Sequence, residues 1–368
     1  MTRLVLGGYG PAIGVVDFGP DGFGAPVEIA AAEGPSFVIT SVDGRFVYAA
    51  LESEDGHVGA WAVTDEGPWR PLGQQPTGGA APCHLALSPD GRWLVTANYT
   101  SGSVSVHPVE GDGSLGSKTH LVQHHGPPGP QADRQEGPHA HQVVFTGNGL
   151  VVCDLGLDSV VGYRLENGRL AEVTRSAMPP GTGPRHLVID GSVAYVIGEL
   201  ASTVTVCDVA GLSLTPRAGV SLRSPDATGE NTAAEVVVAG EQVLGSNRGD
   251  DSVTVLVHDG SSLRRTEILP CGGSWPRWMG LVDGQLLVAN ERSHGVARLV
   301  PDGDRWTVAD VLDWPSPTCC VALYERHRGH PADRARRDAW SSAGDRPGRG
   351  RPAADAGRGQ RNARGHPA

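Results

Sequence analysis

The feature that most limits what this chain can fold into is an internal repeat. An apolar strand, a tight glycine turn, a second apolar strand, a polar loop and a third strand recur over residues 37–63, 85–109, 143–165, 187–209, 236–257 and 279–300. The turns are Asp43-Gly44-Arg45, Asp90-Gly91-Arg92, Gly147-Asn148-Gly149, Asp190-Gly191, Ala239-Gly240 and Asp283-Gly284. Their glycines lie 47, 56, 44, 49 and 44 residues apart. A four-stranded antiparallel meander fills that length, which is the size of one propeller blade. The termini supply a seventh copy in two pieces. Residues 4–8 and 14–18 match second and third strands with no first strand before them, and residues 318–323 match a first strand with nothing after it. Joining them removes the two open edges that a linear stack of sheets would leave. The expected fold is all-β: a seven-bladed β-propeller of four-stranded antiparallel blades over residues 1–324, closed by N- and C-terminal strands.

Composition agrees with that reading. The 52 Gly and 28 Pro punctuate short Val- and Leu-rich runs, and aromatics make up only 5% of the chain. No run of 18 apolar residues offers a membrane span. The apolar start, Leu4-Val5-Leu6, stops at Gly7-Gly8, too soon for a secretion signal. A cytoplasmic protein is therefore expected. The six cysteines form no Cys-x-x-Cys pair and read as buried free thiols of a reducing compartment. A net charge of −11 argues against nucleic acid as partner.

Composition changes abruptly after residue 324. Residues 325–368 hold 11 Arg and 5 acidic residues, a surplus of six positive charges that leaves residues 1–324 at −17. The segment has no apolar periodicity, so it cannot offset the entropy of ordering. It reads as a disordered Arg/Gly/Pro-rich tail whose composition suits the product of a shifted reading frame in a GC-rich gene.

Aligning the repeats on their first strands collects polar residues at one end of the channel. The position after or near each strand-opening proline carries His84, His141, His186, Glu235 and Trp278, with Arg185 and Arg277 beside it. First strands line the central channel of a propeller. Second strands run back antiparallel and end on the same face, at Glu52, Asn98, Asp154, Glu199, Asn247-Arg248 and Asn290-Glu291. One such residue at a strand end merely caps a turn. Three histidines, two arginines and several carboxylates at one rim point to a site. The long connection around residues 120–142 lands on that face and borders it. The spacing offers no compact metal-ligand motif, and Arg beside His disfavours a cation, so no metal is expected.

The segment Arg134-Gln135-Glu136-Gly137-Pro138-His139-Ala140-His141-Gln142 resembles the signature of the propeller-type 6-phosphogluconolactonases. Gly183-Pro184-Arg185-His186-Leu187, Trp275-Pro276-Arg277, Ser88-Pro89-Asp90-Gly91-Arg92 and Ala97-Asn98-Tyr99 fit the same family, over nearly all of residues 3–323. The resemblance implies a cofactor-free enzyme of carbohydrate metabolism that opens a sugar lactone. It places the functional His at His139 or His141, the two Arg at Arg185 and Arg277, and the Glu at Glu199. The catalytic candidates are therefore His141, as base, with His139 the alternative, and Arg185, Glu199 and Arg277. His84, His186, Asn98, Glu235 and Asn290 are the substrate-binding candidates. The expected partner is a small anionic sugar lactone, and the expected assembly a monomer. Two other readings differ in class: a cycloisomerase that forms a lactone from an unsaturated diacid, and a non-catalytic binding platform. The last would show exposed aromatics and a bland channel, the reverse of this chain.

Overall fold

In the computed structural model, residues 1–259 and 262–323 are described. The tail read over 325–368 lies outside them. The described residues form seven antiparallel sheets around a ring, with no helix among them. Six blades are contiguous, each opening on an inner strand: Pro35–Thr40, Pro82–Leu87, Ala140–Thr146, Pro184–Asp190, Thr232–Ala239 and Pro276–Val282. The seventh joins the chain's two ends. Its inner strand Pro317–Leu323 pairs with Thr2–Gly8, which pairs with Ala12–Gly19, and the short strands Gly22–Phe23 and Val27–Ala31 complete its rim.

Strand sequences follow from their places in the ring. Second strands are covered on both faces by neighbouring blades, so Phe46–Leu51 and Val193–Gly198 are almost continuously buried and apolar. Outermost strands such as Arg169–Ala177 meet solvent and carry mainly exposed side chains. The core lies between blades rather than on the axis. Val95, Ala97, Val104 and Val106 of one sheet pack on Val143, Leu150 and Val152 of the next, and the pattern repeats around the ring. The axis is thus left free for polar groups. No helix among the described residues is long and apolar enough to cross a membrane.

Candidate active site

A β-bulge recurs at the same end of every inner strand. In the fourth contiguous blade Pro184 pairs with Gly198 and His186 with Ile197, so Arg185 has no partner of its own. The same shift leaves Ser36, Cys83, His141, Arg277 and Thr318 unpaired in their blades. A wider shift leaves both Ala234 and Glu235 opposite Ser246. Bulges re-aim side chains. Here they turn this row, together with the residue after it, onto the axis. Ser36, Phe37, Cys83, His141, Arg185, His186, Arg277, Trp278, Thr318 and Glu52 line a small cavity at the channel mouth.

The pairing corrects the sequence register at one point. His141 does not share a row with His84, His186, Glu235 and Trp278. It stands with Arg185 and Arg277, and Gln142 takes the row of His84, because Ala140 rather than Pro138 pairs with the end of the second strand. A second offset of one residue separates the rim set. Asn98, Asp154, Asn247 and Asn290 pair with the strand openings and are fully buried. Asn98 Nδ2 donates to Ser103 Oγ at 3.1 Å, and Asn290 Nδ2 donates to the Cys271 carbonyl at 3.1 Å. Solute does not reach them, so Asn98 and Asn290 serve the loops of their own blades rather than the mouth. The next residue along does face the mouth: Glu52, Tyr99, Glu199, Arg248, Glu291 and Tyr9.

Glu199 is the electrostatic hub. Arg248 Nη2 is 2.7 Å and Arg185 Nε 3.3 Å from its Oε2, and Arg134 pairs with Oε1. Burial opposes its ionisation, but Arg248, Arg185 and Arg134 together hold it at about 2. Arg185 also donates to the Ala234 carbonyl at 2.7 Å. Burial, then Arg248 and Arg277, lower it to about 10. Arg277 sits across the mouth, 3.4 Å from Glu291 Oε2 and 5.3 Å from the centre of the Tyr9 ring. The Tyr9 hydroxyl donates to Glu52, with both carboxylate oxygens at 3.2 Å.

His141 lies between these arginines, edge-on to His186 with ring centres 5.1 Å apart. It is buried and its Nδ1 has no hydrogen-bond partner among the described residues. Burial, then Arg185, His186 and Arg277, push it well below the ordinary histidine range, so it is neutral at pH 7. His139 differs. Its Nδ1 is 3.0 Å from the Tyr99 carbonyl, its Nε2 is 3.2 Å from Glu136 Oε1, and its ring stacks on Tyr99. Both of its nitrogens are engaged.

Behind His141, His186 Nδ1 is 2.9 and 3.0 Å from the two oxygens of Glu235. Burial, then the nearby arginines, lower His186 well below its usual range. Burial raises Glu235 to about 8 against the opposing pull of Arg185 and the Val236 N–H. Burial therefore works against the charged form of both partners. His84 packs against Phe37 in a tilted arrangement, ring centres 4.1 Å apart, and meets His186 edge-on at 5.4 Å. Burial pushes it well below its usual range too.

The long connection before the third contiguous blade is latched onto the mouth. His124 and Asp154 pair at 2.6 Å with both side chains fully buried, and Asp154 also accepts the backbone N–H groups of His139 and Leu157. Gln135 Nε2 donates to the Leu155 carbonyl at 2.8 Å. Side chains at Gly102 and Gly156 would collide with Pro138 and with Gly137 and His139. The latch delivers Arg134 to Glu199. Sequence reasoning did not select Arg134 as a site residue, since nothing periodic marks its position. Arg248, expected at the rim as a second-strand end, had no role assigned to it, and Tyr99 was missed although it sits one residue beyond Asn98. Among the described residues no three His, Cys, Asp or Glu side chains converge as metal ligands would.

A family model described as "Lactonase, 7-bladed beta-propeller" matches residues 21–321. A 6-phosphogluconolactonase of Bacillus subtilis is 32% identical over 314 residues, 79% of this chain and 88% of that protein. The Pseudomonas aeruginosa periplasmic gluconolactonase structure superposes with a TM-score of 0.80 at 28% identity, covering 88% of this chain and 99% of the other. A Lactobacillus plantarum protein gives 0.82 at 25% identity, with coverages of 88% and 99%. The chain is a member of the seven-bladed β-propeller lactonase family.

Proposed function

We propose that this lactonase hydrolyses a sugar lactone, 6-phosphogluconolactone first among candidates, at the mouth built by His141, Arg185, Glu199 and Arg277. The observation that carries the reading is the convergence of an imidazole whose Nδ1 has no partner among the described residues with the buried Arg185 and the part-exposed Arg277 across one opening. His141 takes a proton from water as the water oxygen adds to the lactone carbonyl. Arg185 and Arg277 stabilise the oxyanion, which is stronger in this buried setting than in bulk water. The tetrahedral centre then collapses, the carbonyl-to-ring-oxygen bond breaks, and the imidazolium returns its proton to the departing ring oxygen. The product is the open hydroxy acid. An anionic substrate offsets the arginine charges that depress His141, bringing it closer to working pH when it must accept a proton.

Glu199 holds Arg134, Arg185 and Arg248 together and orients them. His139 has both nitrogens committed, so it acts in positioning rather than as base. His84, His186 and Glu235 line the inner wall. No cofactor enters this scheme. All six cysteines are buried and unpaired, which fits a cytoplasmic setting, although the Pseudomonas relative is periplasmic. The test adds purified protein to freshly prepared 6-phosphogluconolactone, and in parallel to glucono-1,5-lactone, and follows acid release above the spontaneous rate. Acceleration of neither would overturn the reading.

A further inference from the structure

Five inner strands are entered through a residue of positive φ followed by proline: Gly34 (59°), Ala81 (51°), Gly183 (59°), Trp275 (65°) and Ser316 (43°). Four of the five are small, as left-handed backbone favours. A bulky side chain there is a genuine outlier, and such outliers gather where function over-determines the backbone. The Trp275 backbone is held in place, its N–H donating to Asp251 Oδ1 at 2.7 Å and its carbonyl accepting the Glu291 N–H at 3.1 Å. The half-buried indole lies at the rim, two residues from Arg277 and 5.8 Å from the Arg248 guanidinium. The Arg292 guanidinium lies 3.3 Å from its ring centre.

Arg292 differs from the other rim arginines. Arg134, Arg185 and Arg248 share Glu199, and Arg277 faces Glu291. Arg292 is exposed and has no carboxylate within ion-pair distance among the described residues. Its loop is fixed to the Trp275 loop by the Arg292 N–H on the Ser274 carbonyl (3.2 Å) and the Ser274 N–H on Ser293 Oγ (2.9 Å). Stacking on an indole orients a guanidinium without using its N–H donors. The full fork therefore remains for a planar or tetrahedral anion.

We propose that Arg292, stacked on Trp275, is the specificity-determining residue that receives the substrate's phosphate at the edge of the mouth, with Trp275 as its positioning residue. The inner arginines are each engaged by Glu199 or Glu291 and serve the reacting carbonyl. Arg292 supplies an uncompensated charge outside them. This rests on the lactonase reading and deepens it by naming the residue that selects a lactone with a remote anionic group.

The test measures binding of 6-phosphogluconate and gluconate by calorimetry, and kcat and KM on the phosphorylated lactone, for wild type, Arg292→Ala, Trp275→Leu and Arg164→Ala. Arg164 is exposed at the far end of its blade and controls for net charge. Arg292→Ala is expected to weaken 6-phosphogluconate about 10- to 100-fold, the worth of one charge-assisted guanidinium–phosphate contact. It should raise KM on the phosphorylated lactone more than it lowers kcat. Trp275→Leu should move the same quantities in the same direction, and Arg164→Ala should move neither. Unchanged 6-phosphogluconate affinity in Arg292→Ala, an equal loss of gluconate, or a wild type that does not prefer the phosphorylated ligand would overturn the proposal. A wild type that binds 6-phosphogluconate through Arg292 but hydrolyses no lactone would overturn the enzymatic reading alone.

Discussion

Replacing Glu199 by Gln tests the electrostatic design of the mouth directly. The substitution keeps shape and removes one charge from beneath three guanidinium groups. Glu199 titrates at about 2 in the fold, against 4.5 when unperturbed. At about 1.4 kcal/mol per pKa unit, the fold favours its ionised form by about 3 kcal/mol. The side chain is only 5% exposed, so water screens little of this. Removing one partner of a buried charge cluster costs about 3–5 kcal/mol in other proteins, a consistent figure. The Gln variant should therefore lose about 3 kcal/mol at pH 7, read as a lower midpoint in urea unfolding followed by tryptophan fluorescence. A depressed carboxylate contributes its stability above the unfolded value and loses it as pH falls through the folded one. The gap between the two proteins should accordingly be full at pH 6–7 and narrow below about pH 4.5. Added inorganic phosphate should stabilise the variant more than wild type, since it restores an anion to the arginines. A loss below about 1 kcal/mol, or a gap that ignores pH, would refute the view that Glu199 holds the cluster together.

Three further outcomes follow from the same geometry. His141→Ala should lower turnover roughly 10²- to 10⁴-fold with a smaller change in KM, as loss of a general base does; a near-normal kcat in a steady-state assay would remove it from that role. Glu235→Gln should gain on wild type as pH rises from 5 to 9. Glu235 is held protonated up to about 8 while the unfolded carboxyl ionises near 4.5, so wild type sheds a few kcal/mol across that window, and equal urea midpoints at pH 5 and pH 9 would contradict that raised Glu235 carboxyl. Gly156→Ala should push a methyl into Gly137 and His139, cost about 1–3 kcal/mol by overpacking and reduce activity through the displaced latch; thermal melts and kinetics indistinguishable from wild type would argue against it.

Much of this molecule could be read from its residues alone. The number of blades, their four-stranded make-up and the closure of Pro317–Leu323 onto Thr2–Gly8 follow from a pattern repeated six times and split once. Such patterns are local: apolar runs and glycine turns announce strands wherever they occur, and repetition averages out any single weak turn. Repetition also pointed to one end of the channel as the place where His141, Arg185, Glu199 and Arg277 meet.

Single-residue registers were settled only in three dimensions. A bulge adds one residue to a strand without marking the sequence, so His141 moved into the row of Arg185 and Arg277. The same one-residue distinction separates Asn98 and Asn290, buried in their own blades, from Tyr99 and Glu291 at the mouth. Arg134 arrives from a long connection whose path is set by a buried His124–Asp154 pair thirty residues apart in sequence. The protonation of Glu235 depends on burial and on Arg185, neither of which a strand pattern encodes. Periodicity reports which face a side chain takes relative to its neighbours in the chain; charge, burial and contact are fixed by neighbours from other blades, and those exist only once the ring has closed.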